Sequence, residues 1–119
     1  LLSAAYGQDW LVAMLIFVLC SEKTPYELNQ TQMAILGRFL TEGDAWMIVE
    51  NVWDWQVYGR AVDRPETVLS IDFQPGWIRS LASLIVGDAD LQRSLNEFAD
   101  RLDRKVDARP LLGNRYFYT

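Results

Sequence analysis

The sequence predicts one helix-rich α+β domain spanning residues 1–119, with four to five helices packed on one small antiparallel sheet; an all-α fold is the alternative. Three observations support this prediction. The chain has 119 residues and is 50% apolar, which is enough for one hydrophobic core. Apolar residues recur at helical spacing in most segments, whereas strand-like alternation is rare. No linker is long enough to divide the chain.

The first predicted helix follows an unbroken apolar run. Eleven consecutive apolar residues occupy Trp10 to Cys20, and Asp9 can cap the helix that they form with Ser21. Because a membrane-spanning helix needs about 20 residues, no membrane association is expected. A helix that is apolar on every side must be covered on every side, so the core and a homodimer interface are its expected surroundings.

A second helix is predicted to begin in residues 24–27 (TPYE). This motif has a capping hydroxyl, a proline at the first helical position and a glutamate at the third. Gly43 is expected to end the helix in a left-handed conformation, and Asp44 directly after it can cap a third helix. The second and third helices should therefore be antiparallel neighbours joined by a tight turn.

Residues 45–58 (AWMIVENVWDWQVY) fit two structures. Helical spacing places Trp46 and Trp53 on the core side and Glu50 and Asp54 on the opposite side. The β-branched and aromatic residues instead favour a strand beginning near Trp46. We favour the helix, because a capping residue precedes the segment and a glycine follows it.

The second half of the chain predicts two more helices and the sheet. Residues 67–73 alternate in polarity like a half-buried strand, and residues 115–119 (RYFYT) are expected to pair with them. A short helix with apolar residues from Ile78 to Ile85 is expected to close at Gly87. Asp88 opens the last helix, whose apolar stripe comprises Leu91, Leu95, Phe98, Leu102 and Val106.

Composition excludes several function classes. The chain contains no histidine and a single cysteine, Cys20, so histidine-dependent catalysis and an internal disulfide are impossible. The lone thiol suits a reducing compartment, and a cytoplasmic location is expected. The net charge of −5 disfavours nucleic-acid binding. No phosphate-binding glycine motif or metal-ligand spacing is present, and we expect neither a cofactor nor a metal.

One segment combines aromatic and charged residues densely enough to be a candidate site. Aromatic rings next to carboxylates can hold a cation or a flat organic ring, and an arginine can orient an anionic group. Trp55 is the most suggestive member, because the helical interpretation places it near the polar face. The predicted ligand-binding residues are Trp46, Trp53, Trp55, Tyr58 and Arg60.

Two acids in the same segment are weak catalytic candidates. On a helix, Glu50 and Asp54 would be four residues apart on one face. Mutual repulsion could raise the pKa of one of them, as acid–base catalysis requires. An ordinary solvated helix face explains the same spacing, and no nucleophile motif accompanies the pair. An enzyme is therefore less expected than a binding protein.

The function that the sequence favours is that of a small homo-oligomeric binding domain. Its ligand would be a small organic or cationic molecule held between tryptophan and tyrosine side chains. The alternative is an acidic protein-interaction domain of the immunity or inhibitor type, which would cover a basic partner. A histidine-free enzyme that uses Glu50 and Asp54 is a third hypothesis.

Overall fold

The computed structural model describes residues 6–49, 51–54, 57 and 71–104. These residues form four α-helices and one two-stranded antiparallel sheet, so the predicted helix-rich α+β class is confirmed. The elements are α1 (Gln8–Ser21), α2 (Gln30–Arg38), a π-helical turn (Phe39–Gly43), a 3-10 turn (Asp44–Trp46), β1 (Ile48–Val49), β2 (Val52–Trp53), α3 (Pro75–Leu84) and α4 (Ala89–Arg104).

Three helices form where the sequence predicts them. Helix α1 begins at Gln8 and ends at Ser21, so Asp9 lies in its first turn and the prediction that Asp9 caps the helix is wrong. Helix α3 begins directly at Pro75, which suits a first helical position because proline has no amide hydrogen to satisfy. Asp88 caps α4 by accepting a hydrogen bond from the amide of Leu91 at 3.0 Å.

The predicted start of the second helix is wrong. Residues 24–27 instead form a turn, in which the Thr24 hydroxyl donates to the Ser21 carbonyl at 2.6 Å. Helix α2 begins five residues after Pro25, at Gln30, because Asn29 and Gln32 form a reciprocal capping box. In the turn, the Thr24 hydroxyl and the Glu27 carboxylate also accept from backbone amides, those of Tyr26 and Lys23, but no helix begins there.

The predicted third helix is also wrong. After the π-helical and 3-10 turns, the chain forms a hairpin in which Ile48 pairs with Trp53 and Val49 with Val52. Ile48 and Trp53 are both buried, so one face of the hairpin joins the core. The β-branched and aromatic residues of this segment therefore adopt the strand that was the alternative interpretation. Gly43 ends the helical segment at φ −111°, not in the left-handed conformation.

The observed sheet is not the one that the sequence predicts. Residues 71–73 form no strand, although the Ile71 amide donates to the Asn51 carbonyl at 3.2 Å and ties this segment to the hairpin. Residues 67–70 and 115–119, which were expected to pair, lie outside the described part of the chain. Gly87 has a φ of +86° and provides the left-handed turn between α3 and α4.

The core lies where α3 contacts the other three helices. Helix α3 packs most extensively on α4 and also contacts α1 and α2. The rings of Trp53, Phe73 and Phe98 form a continuous series, with centroids 6.3 Å and 6.4 Å apart. The leucine and isoleucine residues with 0% exposure are Leu11, Leu40, Ile48, Ile78, Leu81 and Leu95.

Gly37 allows α2 to approach α4 closely. A Cβ atom at this position would lie 3.2 Å from Leu91 and 3.3 Å from both Ile85 and Leu95, which is tighter than ordinary van der Waals contact. We expect Gly37→Val to lower the free energy of unfolding by about 2 kcal/mol through overpacking, measured by urea denaturation. Gly76→Val is the matched control, because a Cβ there meets nothing within 4 Å. Equal stability of the two variants would contradict this account.

Candidate functional site

A groove of about 730 Å³ opens between two walls of the fold. The end of α2 and the two turns that follow it form one wall, and the exposed side of α4 forms the other. Trp46 lies half-buried in the first wall, while Phe98 and Arg101 contribute from the second. The other lining residues are Arg38, Thr41, Glu42, Ala45, Asp88, Asp90, Leu91, Ser94, Glu97 and Arg104.

Arg101 joins the two walls at the base of the groove. Its guanidinium carbon lies 4.9 Å from the centroid of the Phe98 ring, and its Nη2 atom donates to the Ala45 carbonyl at 2.6 Å. The residue is only 4% exposed, so these contacts are made away from solvent. They fix the 3-10 turn against α4 and thereby set the position of the neighbouring Trp46.

The charges of the groove are unevenly compensated. Arg38 forms an ion pair with Asp88 at 3.2 Å, and Asp90 forms one with Arg93. Within the described ranges, Glu42 and Glu97 form no ion pair. Among the described residues, the lining holds the four carboxylates of Glu42, Asp88, Asp90 and Glu97 and the three guanidinium groups of Arg38, Arg101 and Arg104. The groove therefore has a formal excess of one negative charge, for which a cationic partner would be favourable.

Asp44 is a buried carboxyl group next to the groove residue Ala45. It is 2% exposed, and its Oδ1 atom has no hydrogen-bond partner among the described residues. Desolvation by burial raises the pKa of Asp44 from 3.8 to about 7. The carboxyl therefore changes protonation near neutral pH, and burial makes its ionised form unfavourable in the folded protein.

Of the two predicted ligand-binding residues that the structure describes, Trp46 lines the groove and Trp53 does not. Trp53 is 2% exposed and lies in the core, where its indole Nε1 donates to the Gln8 side-chain carbonyl. This placement gives Trp53 a structural role. The predictions for Trp55, Tyr58 and Arg60 fall outside the described residues.

Of the two catalytic candidates, the structure describes Asp54, which does not lie on a helix. Asp54 follows β2 and is half-buried, while Glu50 lies outside the described residues. Ile48–Val49 and Val52–Trp53 pair as antiparallel strands, so the helix on which the predicted pair depends does not form at these residues. Among the described residues, no group of three His, Cys, Asp or Glu side chains could hold a metal ion.

Sequence reasoning missed most of the groove. The sequence prediction for the last helix concerned its apolar stripe and did not single out Arg101. Its spacing of three residues from Phe98 was an available signal, because residues three apart on a helix are neighbours. Glu42 and Glu97 are far apart in the sequence but line the same groove. The π-helical turn carries Glu42 to this position.

Comparisons with protein-family models, with curated proteins and with solved structures find no match to this chain. Within the part of the chain that the structure describes, no helix combines the length and the apolar character needed to cross a membrane. The function is therefore inferred from the residues that line the groove.

Proposed function

We propose that this protein is a small binding domain that holds an organic cation in the groove between the α2 wall and α4. The observation that carries the proposal is the combination, in one groove, of the half-buried Trp46 with the carboxylates of Glu42 and Glu97, which no ion pair compensates within the described residues. The guanidinium groups of the groove already have protein partners.

The size and lining of the groove suit a small molecule. Its volume of about 730 Å³ falls within the range of roughly 300–1,000 Å³ that is typical of small-molecule sites. A tryptophan face attracts a cation through its quadrupole, by about 0.5–2 kcal/mol depending on desolvation. Two nearby carboxylates add a favourable electrostatic potential. Arg101 supports the site from below by fixing Ala45, the residue before Trp46.

The test is a titration of the ¹⁵N-labelled protein with phenyltrimethylammonium, followed through the five tryptophan indole signals. Trp46→Phe assigns the relevant signal. We expect a saturable shift of the Trp46 indole signal, and a rise in Kd of at least about 10-fold in the Glu42→Gln/Glu97→Gln variant.

Two controls make the result specific. Glu22→Gln removes a carboxylate outside the groove and should leave the Kd unchanged. Benzoate, an anion with a similar ring, should not shift the Trp46 signal. An absent Trp46 shift, an equal loss of affinity in Glu22→Gln, or tighter binding of benzoate would each overturn the proposal.

A further inference from the structure

The two walls of the groove run in the same direction along the chain. At the end of α2, Arg38 forms its ion pair with Asp88, the residue just before α4. Further along the first wall, the Ala45 carbonyl accepts from Arg101, which lies in the last turn of α4. The groove therefore extends from an end beside the start of α4 to an opposite end beside the last turn of α4.

The charged residues of the groove follow an order along this axis. Glu42 lies between the two contacts on the first wall, and Glu97 lies between them on α4. Both carboxylates therefore belong to the middle of the groove. Trp46 and Arg104 lie beyond the contacts in the chain, so both belong to the end beside the last turn of α4. An acidic middle thus adjoins an end that carries an indole ring and a guanidinium group.

Arg104 has hydrogen-bonding capacity that the described residues do not use. Its Nε atom donates to the Asp100 carbonyl at 3.2 Å. Within the described ranges, its two Nη atoms donate no hydrogen bond and the residue forms no ion pair. The nearby carboxylates of Asp100 and Asp103 both bind Arg79 instead. The two Nη groups of Arg104 can therefore bind a carboxylate through two parallel hydrogen bonds.

We propose that the ligand of the groove is a zwitterion, an organic cation that also carries a carboxylate, and that Arg104 binds this carboxylate. The inference rests on the proposed function and names the chemical class of the ligand. The cationic group lies between Glu42 and Glu97, beside Trp46, and the carboxylate points towards the last turn of α4. A simple cation would leave the Arg104 charge uncompensated at the same end of the groove. A simple anion would be repelled by the two glutamates in the middle.

The spacing of the charges along α4 selects among zwitterions. Glu97 and Arg104 are separated by roughly 10 Å along the helix axis, because each residue advances an α-helix by about 1.5 Å. A benzene ring with charged groups in para positions, together with a charge-assisted hydrogen bond of about 2.8 Å, bridges a distance of this order. Adjacent charges, as in an α-amino acid, are too close together to reach both residues at once. The ligand therefore carries its two charges at opposite ends of a ring or of a short chain.

Titration with para-trimethylammoniobenzoate, followed through the Trp46 indole signal, tests the proposal. This acid is phenyltrimethylammonium with one added carboxylate, and its methyl ester has nearly the same shape without the negative charge. In the wild type, we expect the acid to bind at least about 3-fold more tightly than the ester. In Arg104→Gln the order should reverse, because the remaining carboxylates of the groove repel the acid. The ortho isomer of the acid, which has adjacent charges, should bind no more tightly than the ester in either protein.

Two controls separate this proposal from the proposed function. Lys23→Gln removes a positive charge outside the groove and should preserve the wild-type preference for the acid. Arg104→Gln should bind phenyltrimethylammonium at least as tightly as the wild type does, which shows that the groove is intact.

The outcomes that contradict the two proposals differ. If phenyltrimethylammonium binds but the wild type does not prefer the acid to the ester, the zwitterion proposal is overturned and the proposed function stands. The same conclusion follows if Lys23→Gln loses the preference as Arg104→Gln does. If phenyltrimethylammonium itself causes no shift of the Trp46 signal, both proposals are overturned.

Discussion

Asp44→Asn is expected to stabilise the fold at neutral pH, by up to roughly 4 kcal/mol above pH 7, and to change stability little near pH 4. The Asp44 carboxyl is 2% exposed, and burial raises its pKa to about 7 from 3.8. Asparagine has nearly the same shape and carries no charge at any pH. It therefore removes the cost of burying an ionised group.

The direction of this pH dependence follows from how tightly each state of the protein binds the Asp44 proton. The folded state holds the Asp44 proton more tightly than the unfolded state, so the stability that this proton confers is fully present below pH 3.8 and is lost as the pH rises to about 7. The lost free energy reaches roughly 1.4 kcal/mol for each unit of pKa difference. Over the same pH range, the other acidic residues change the stability of the wild type and of Asp44→Asn equally, so their effects cancel in the difference.

Urea denaturation of the wild type and Asp44→Asn, followed by circular dichroism between pH 4 and pH 8 at one protein concentration, measures this effect. The difference in the free energy of unfolding should grow by roughly 3 kcal/mol between pH 5 and pH 7.5. A difference that stays constant over this range would mean that Asp44 is ionised in the folded protein, and the account of its burial would fail.

Gln8→Leu is expected to lower the free energy of unfolding by roughly 2–4 kcal/mol. The Gln8 amide is 5% exposed and connects three segments of the chain. Its Oε1 atom accepts from the Trp53 indole and from the Asp72 amide, and its Nε2 atom donates to Asp72 Oδ2 at 2.9 Å. Leucine fills similar space but leaves the buried Trp53 indole without its acceptor.

A double-mutant cycle separates the hydrogen bond from packing. Trp53→Phe removes the indole donor, so adding Gln8→Leu to that variant should cost at least about 1 kcal/mol less than Gln8→Leu does in the wild type. Gln74→Leu, at an exposed position before α3, should change stability by less than about 0.5 kcal/mol. Additive effects in the cycle would contradict the assigned bond.

The helices that depend on local signals could be predicted from the sequence. Helix α4 combines a regular apolar stripe with a capping aspartate, and α1 contains a long apolar run, so each has one interpretation. Helix α2 was predicted to begin in residues 24–27, but it begins after Asn29, which forms a reciprocal capping box with Gln32.

The hairpin and the groove depend on contacts between distant residues. Ile48 and Trp53 adopt strand geometry because both side chains reach the core, and Trp53 also finds its acceptor 45 residues earlier at Gln8. Tertiary contacts of this kind override helical spacing. The groove likewise requires Arg101 to reach Ala45 across 56 residues, which no local pattern encodes.

The central claim is that the groove beside Trp46 is a binding site for an organic cation. The most direct test is an isotope-filtered nuclear Overhauser measurement between the methyl groups of phenyltrimethylammonium and the indole protons of the protein. The account predicts cross-peaks to Trp46, which lines the groove, and none to Trp10 or Trp77, which do not. Cross-peaks confined to Trp10 or Trp77, or none to any tryptophan at saturation, would contradict it.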